Sequence, residues 1–591
     1  METSGNHRSD GDDGDTTSLS EDYYSRSVDF RGDRVPVALF NRLQRKRNLA
    51  CASILFTVFA ERVAFYALSG NLYLFLNHHP LAWTSTSAMT ALLVFTGTAF
   101  VGAFLTGYLG DALGRFRIIL VSLLVYIVGL IAFVAIAQYQ NGRGGDFIGL
   151  CHIKNRTNIL ASSSLLSSLY PQTESEASSH GRGATMQCGA TIYVLLVITG
   201  LASSGIKANV VPFGAEQVKQ ENRMAVRRYF TIYYWVVNIA AFLSILILSY
   251  IQQSTSGGFG LGYIIPTVIL VLAFFLFWIS KGLFVQEQPE PPILYNIFQV
   301  LVEAWQQNRV HQRPPNRQWL DAAKIEFGGR FDNELVEDVK QLKFVLGVFA
   351  LLIPYWVVYF QMQTSFQEQG LHMRLLPSSM FAPINQSDAF TIPAAWLTLF
   401  NVMFVILFVP VFEKCIYPSL ESRQSSPSIN LRMFLGLLCA VLAMLCAGGV
   451  EVKRLELVHE NRTIVQIIDK TDYVAADMWV FWQIPSYFFV GLSEILASIS
   501  GVELAYSHAP VSMQGIVMGL FYLSTGIGCF AGSLLLSLVS PYWLNSSPNT
   551  SRLDLFFWLL AGIQLVSSIL FFLCVVRRSR NLFINTYASI Q

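Results

Sequence analysis

Charge is scarce in this chain of 591 residues: Asp, Glu, Lys and Arg make up 13% of it, against 53% hydrophobic residues and a mean hydropathy of +0.46. A soluble domain carries about 25% charged residues, so the share here is about half the norm. The deficit is concentrated in runs of about twenty residues, the length an α-helix needs to cross about 30 Å of hydrocarbon. That pattern excludes a soluble enzyme, a secreted disulfide scaffold and a protein that binds nucleic acid. It also excludes a β-barrel, because the apolar runs are continuous and do not alternate with period two. With a net charge of +2, no global electrostatic argument about partners arises.

Other absences narrow the chemistry. The eight cysteines show no CxxC spacing, and most lie in apolar runs, where a thiol behaves as a small hydrophobe. Cys151 and Cys188 flank one hydrophilic loop and would pair if that loop faces an oxidising lumen. There is no Gly-rich phosphate loop, no Walker pattern and no His/Cys cluster at metal-ligand spacing. An ATP-driven pump therefore has no engine here, no cofactor or metal is expected, and a proton gradient is the remaining energy source. No histidine falls well inside an apolar run; all nine lie in loops, tails or run ends, including His78, His79, His152, His180, His372 and His459 on the side read below as lumenal. A proton carrier should then be a carboxylate.

What is present is a polytopic all-α membrane protein. The apolar runs number twelve, at roughly 49–76, 86–109, 118–139, 189–211, 229–251, 262–283, 343–366, 391–412, 432–450, 478–505, 513–540 and 553–576. The longest hydrophilic interruption between them, 284–342, follows the sixth run and contains amphipathic helical pieces. The expected organisation is a tail over 1–41, a six-helix bundle over 42–283, a linker over 284–342, a second six-helix bundle over 343–576 and a tail over 577–591. Residues 1–35 are polar and acid-rich, which reads as a disordered tail and not as a cleavable signal.

Two independent signals orient the chain. Arg42, Arg45, Lys46 and Arg47, then Arg115 and Arg117, then Arg223, Arg227 and Arg228, and finally Arg577, Arg578 and Arg580 share one side. The excess of basic residues places that side, with both termini and the linker, in the cytosol. Glycosylation sequons are used only on the opposite side. They occur at Asn155, Asn385, Asn461, Asn545 and Asn549, and with twelve spans all five fall in loops of that one face.

An ionisable group deep in a span costs about 2.5–3.5 kcal/mol on insertion scales, so each needs a reason. Deep candidates are Glu61 and Arg62 in span 1, Lys207 in span 4 and Glu494 in span 10. Arg62, Tyr66, Ser69 and Tyr73 follow an i, i+4, i+7, i+11 pattern and share a face, with Glu61 and Phe65 on the neighbouring stripe. A guanidinium with phenolic hydroxyls suits capture of a carboxylate, because the fork binds it bidentately. In span 7, Trp356, Tyr359 and Gln363 share a face, and Pro354 and Pro485 are expected to break their helices.

GYLGDALGRFR (107–117) resembles the loop motif of the major facilitator superfamily, whose Asp and Arg, here Asp111 and Arg115, latch neighbouring helices. ERVAFY in span 1 resembles the ExxERxxYY motif of the proton-coupled oligopeptide transporter family, with Arg62 and Tyr66 matching and Phe65 in place of the first Tyr. IKANVVPFGAEQ, YFTIYYWVVNIAAF and GLSEILASISG are similar to that family's segments in spans 4, 5 and 10, which places its functional lysine on Lys207, its asparagine on Asn238 and its acid on Glu494. FGAEQV, IPYWVVYFQMQTSF, PAAWLTLFN and SEILASISGVELAYSHAP resemble the peptide/histidine transporters, the endolysosomal branch of solute carrier family 15. The motif's first Glu is Val58 here.

The resemblance implies a twelve-span major facilitator fold that moves free histidine and di- or tripeptides with protons. It would export them from endosomes and lysosomes to the cytosol by alternating access. Arg62 and Lys207 would take the substrate carboxylate and Glu494 its amino terminus, with Tyr66, Asn238, Trp356 and Asn401 lining the site and Glu61 and Glu494 carrying protons. Tyr587 and Ile590 in the last segment fit the tyrosine-x-x-bulky-apolar form that clathrin adaptors read in extended chain. Two alternatives remain open: a membrane scaffold or sensor that recruits cytosolic signalling adaptors, and a carrier of another small organic anion.

Overall fold

A computed structural model describes residues 37–77, 81, 83–140, 185–218, 223–255, 258–286, 293–310, 318–375, 392–422, 427–468, 471–508, 514–544 and 548–577. Twelve helical spans long and apolar enough to cross a bilayer are present among them. Spans 1–6 are Gln44–Ser69, Ser85–Leu113, Arg115–Gln138, Gly189–Val218, Arg228–Ser254 and Gly258–Leu283. Spans 7–12 are Asn333–Leu371, Ala394–Leu420, Ile429–His459, Val480–Leu504, Ile516–Trp543 and Leu553–Val576.

Span 4 packs on spans 2 and 3, and span 6 on spans 1 and 3; in the second half, span 9 packs on spans 10 and 12, and span 7 on span 12. The two halves meet mainly where span 2 lies along span 11, with span 8 against span 5 as a lesser seam. The outer surface is aliphatic: Leu105, Val128, Ile131, Leu272, Leu534 and Leu538 are all exposed. In a bilayer that surface has lipid for a partner, while helices satisfy their own backbone groups.

Small residues set the closest approaches. A Cβ on Gly110 would collide with the Asn209 side chain, whose amide donates to the carbonyls of Thr106 and Gly205 at 2.9 Å each. Spans 2 and 4 are thus joined beside the 107–117 loop, where Arg115 pairs with Asp111 at 2.8 Å and with Glu216 of span 4. These pairs join spans 2, 3 and 4 within the first half.

Hydropathy misplaced several ends. Span 7 begins ten residues before the expected 343, capped by Asp332, and continues to Leu371. Span 9 continues nine residues past 450, because Glu451 and Arg454 neutralise each other inside the helix. Pro354 does not break span 7: the helix Asn333–Tyr359 runs through it and gives way at a 3-10 turn, Phe360–Gln363. Pro485 breaks nothing either, since it sits in the first turn of Ile484–Ser493, where a proline is tolerated. Span 10 is interrupted further on, by a π-helical turn over Glu494–Ile499.

Outside the bundle at the sequon-bearing end, a three-stranded sheet has the order β1 (Met373–Arg374), β3 (Thr471–Trp479), β2 (Thr463–Ile468). β2 and β3 form an antiparallel hairpin, and β1 runs parallel to β3. The linker contributes an amphipathic helix, Ile293–Val310, and short 3-10 turns at Trp319–Ala323 and Ile325–Phe327. Cys151, Asn155, Asn385, Asn545, Tyr587 and Ile590 lie outside the described residues, as does the Cys188 side chain.

Candidate functional site

Span 1 brings Glu61 and Arg62 into the interior side by side. Both Arg62 Nε and Nη2 donate to Glu61 Oε2, and Ser203 Oγ of span 4 donates to the other carboxylate oxygen at 2.7 Å. Glu61 is 2% exposed, so pairing and the serine together offset the loss of water. One turn after Ser203, Lys207 turns into the same space and forms no ion pair among the described residues. Its Nζ lies 4.1 Å from the Phe65 ring centroid and 4.3 Å from that of Phe100, with no hydrogen-bond partner among the described residues. Two aromatic faces flank this Nζ.

Across the seam, Glu494 opens the π turn of span 10. Tyr359 OH and Asn401 Nδ2 both donate to its Oε2 at 3.1 Å. The extra residue in a π turn re-aims side chains, and such turns recur at functional sites. Glu494 has no ion pair with Lys207 or Arg62 among the described residues. Tyr66 stands within electrostatic range of Arg62, Glu61 and Glu494 together, and Tyr359 of both Tyr66 and Glu494. These two phenols therefore lie in the shared field of the charged groups of the two halves.

Trp356 packs edge-on against Tyr359 at 5.6 Å and against Phe521 at 5.5 Å, its indole N–H unpartnered among the described residues. Asn401 keeps an unpartnered Oδ1 in the same sense. Of the expected site residues, the fold gathers Glu61, Arg62, Tyr66, Lys207, Trp356, Asn401 and Glu494 around this seam. Asn238 is different, since its amide donates to the Tyr234 carbonyl one turn back, at 2.8 Å. On span 5 it is Tyr233 that lies in the field of Arg62, Glu61 and Tyr66. Val58, in place of the motif's first Glu, is buried in the apolar core of the first half.

Ser203 was findable, being four residues before Lys207 on one helix face. Phe100 carries no polar signal and was not. A second buried charged group also escaped notice: Glu368 at the end of span 7, with Glu451 and Arg454 at the end of span 9. Each lies just beyond the point where the apolar run stops. His372, one residue past span 7, is buried, and its ring Nδ1 faces the Glu368 carbonyl at 3.0 Å.

Asn461 and Asn549 differ as glycan acceptors. Asn461 is exposed at a turn with φ 54°, whereas the Asn549 amide is tied to Arg454 at 2.7 Å and to the Val474 carbonyl at 2.9 Å.

A family model described as the POT family matches residues 116–550. The chain belongs to the POT family. Rat solute carrier family 15 member 3 is 35% identical over 91% of this chain and 94% of its own length, and the mouse protein of the same name 34% over 92% of each. These relatives bear out the resemblance to the peptide/histidine branch of solute carrier family 15. A more distant relative, NRT1/PTR family 8.5 of Arabidopsis thaliana, is 27% identical over 90% of both chains. Two solved structures share the fold with a TM-score of 0.66 each. One is an auto-inhibited POT family peptide transporter (20% identity, 89% of this chain, 96% of that one), and the other is the POT transporter PepTSo (19%, 90% and 98%). As a POT family member the chain is a transporter with the major facilitator fold, not an enzyme.

Proposed function

We propose that this chain is a proton-coupled symporter that exports free histidine and di- or tripeptides from the endolysosomal lumen to the cytosol by alternating access of its two half-bundles. The observation that carries this is the separation of charge across the seam. Lys207, without a counter-ion among the described residues, stands on one side, and Glu494, likewise without one among them, stands on the other. A zwitterion is the ligand whose two ends satisfy both: its carboxylate goes to Lys207 and Arg62, its amino group to Glu494. Tyr66, Trp356 and Asn401 would frame it, and Asn238 would join only after its bond to Tyr234 opens.

Proton coupling follows from the same geometry. While Glu61 is ionised it occupies Arg62, and protonation frees that guanidinium for the substrate. A protonated Glu494 keeps both its hydrogen bonds but loses its attraction for an amine. The basic loops support cytosolic termini, and the lone Tyr587-x-x-Ile590 pattern supports sorting by clathrin adaptors to endosomes and lysosomes. Uptake of labelled histidine and of a dipeptide into proteoliposomes, with and without an inward proton gradient, tests the proposal. Transport that ignores the gradient, or its absence for both solutes, refutes it. A second role, as a scaffold for cytosolic signalling adaptors, is favoured by the linker helix Ile293–Val310, on which Tyr295, Phe298 and Trp305 are exposed. Partner recruitment by Lys207→Met with uptake abolished would separate that role from transport.

A further inference from the structure

The buried charges at the sequon-bearing end do not balance. Glu451 and Arg454, both essentially inaccessible, form a two-pronged pair, with Nε to Oε2 at 2.9 Å and Nη2 to Oε1 at 2.7 Å. Two further guanidinium donors go to Asn549 Oδ1 at 2.7 Å and the Pro548 carbonyl at 3.1 Å. Glu451 Oε2 also accepts from Gln369, at 2.8 Å. Glu368 lies within the field of both members of this pair but is bonded to neither. Two carboxylates thus share one cation, whose bonds go to Glu451, Asn549 and Pro548. Nor does His372 supply a second positive charge, because burial and the nearby Arg454 push its imidazole down to about 4.

Glu368 is 5% exposed, and its Oε2 has no hydrogen-bond partner among the described residues. What its carboxyl faces is the other half of the molecule: the hydroxyls of Ser85 on span 2 and of Tyr73 on the short helix Leu72–Asn77. Those two hydroxyls are bonded to each other at 3.1 Å. The neighbouring residue repeats the crossing, since Gln367 Nε2 donates to the Gly70 carbonyl at 3.2 Å and to Asn71 Oδ1 at 3.3 Å. Further out, Tyr473 of β3 donates to Asn77 at 3.1 Å and packs edge-on against His372. The end of span 7 is thus sewn to the first half with Glu368 in the seam. A charged carboxylate there has no cation to itself, whereas a neutral one both donates to and accepts from hydroxyls.

From this geometry we infer that Glu368 is a proton-carrying gate residue. It holds a proton while the sequon-bearing end is closed, and it exchanges that proton with the aqueous phase on that side when the end opens. Acidification of that phase then favours closure, separately from any protonation of Glu61 or Glu494. The inference rests on the transporter reading only in taking that end to open and close.

Hydrogen–deuterium exchange of the full chain in lipid nanodiscs at pH 7.5 and pH 5, with labelling times scaled for intrinsic exchange, tests it. Protection of Leu72–Asn77 and Ser365–Leu371 should rise on acidification, by up to about tenfold per pH unit for one linked proton. In Glu368→Gln, which keeps the shape and removes the titration, both segments should be protected equally at the two pH values. Glu494→Gln and Glu61→Gln should keep the wild-type response even where they abolish uptake, so failure of the transport proposal and failure of this one read differently. Protection in the wild type that does not change with pH overturns the inference. So does a wild-type response retained by Glu368→Gln, or one lost in Glu494→Gln or Glu61→Gln. If Glu368→Gln does not fold, Ser85→Ala combined with Tyr73→Phe serves instead, and an unchanged pH response in that variant has the same overturning force.

Discussion

The Lys207 ammonium lies 4.1 Å from the centre of the Phe65 ring and makes no hydrogen bond to any described residue, although a carboxylate, Glu61, stands four residues before that ring. Glu61 is taken by Arg62 and Ser203 instead. At the seam, the first half therefore holds one cation in a pair, Arg62, and one in reserve, Lys207.

Because Lys207 has no partner to orphan, Lys207→Met should leave the fold intact. Burying an apolar chain of similar length removes a desolvated charge and should change the melting temperature in detergent little or raise it. Histidine uptake should nevertheless fall at least roughly tenfold, the equivalent of about 1.4 kcal/mol of lost stabilisation. A variant that melts normally and transports normally contradicts the assignment of Lys207 to the substrate.

Glu494→Gln preserves acceptor geometry toward Tyr359 and Asn401, so it too should fold. Gradient-driven uptake should drop by roughly tenfold or more, as expected when a charge that meets the ligand is removed. Binding of a dipeptide by isothermal titration should weaken in parallel. Unchanged affinity would move the amine site elsewhere.

The Glu451–Arg454 pair predicts an asymmetry in stability. Arg454→Met alone leaves a carboxylate uncompensated in the interior and should cost about 3–5 kcal/mol. Glu451→Gln together with Arg454→Met should recover most of that loss, because neither charge then remains. Thermal unfolding of the two variants side by side measures the difference.

His372 gives a pH signature. Its imidazole titrates near 4 in the folded protein against an ordinary value near 6.5. Between those values the unfolded chain binds the extra proton, so this residue lowers stability as pH falls from 6.5 toward 4 and contributes nothing above that window. The loss should approach about 1.4 kcal/mol per pH unit inside the window. His372→Gln should flatten that part of the curve, and a slope identical to wild type would show that the imidazole is not buried neutral.

Asn461 is exposed on a tight turn, so Asn461→Gln should remove one glycan-sized step of electrophoretic mobility from protein expressed in mammalian cells. No such step would place this turn on the cytosolic side and overturn the orientation drawn from the basic loops.

The spans and the central charges were legible because an apolar run interrupted by Glu61, Arg62, Lys207 or Glu494 demands an explanation wherever it occurs. Their partners were less so. Whether Glu494 meets a base or two neutral donors depends on a π turn, and no pattern of residues over 494–499 announces one. Asn238 carried the right chemistry on the right helix, yet it folds back on Tyr234 while Tyr233 faces Arg62. Glu368, Glu451 and Arg454 were hidden for a plainer reason. A hydropathy window ends a span at the first cluster of charges, and cannot register that Glu451 and Arg454 pair inside the helix or that Glu368 is buried against the other half.

Gly436 has a consequence for how displacement travels through the second half. A Cβ there would lie 2.5 Å from the Ala497 backbone nitrogen and 2.7 Å from its Cβ, so span 9 rests directly on the backbone of the π turn that carries Glu494. Main chain against main chain has no rotamers with which to yield. Spans 9 and 10 are keyed together like a shaft and its collar, with Glu494 at the key and the Glu451–Arg454 pair fifteen residues further along the same shaft. A tilt imposed at either place is felt at the other as rigid leverage, without a relay of side chains between them.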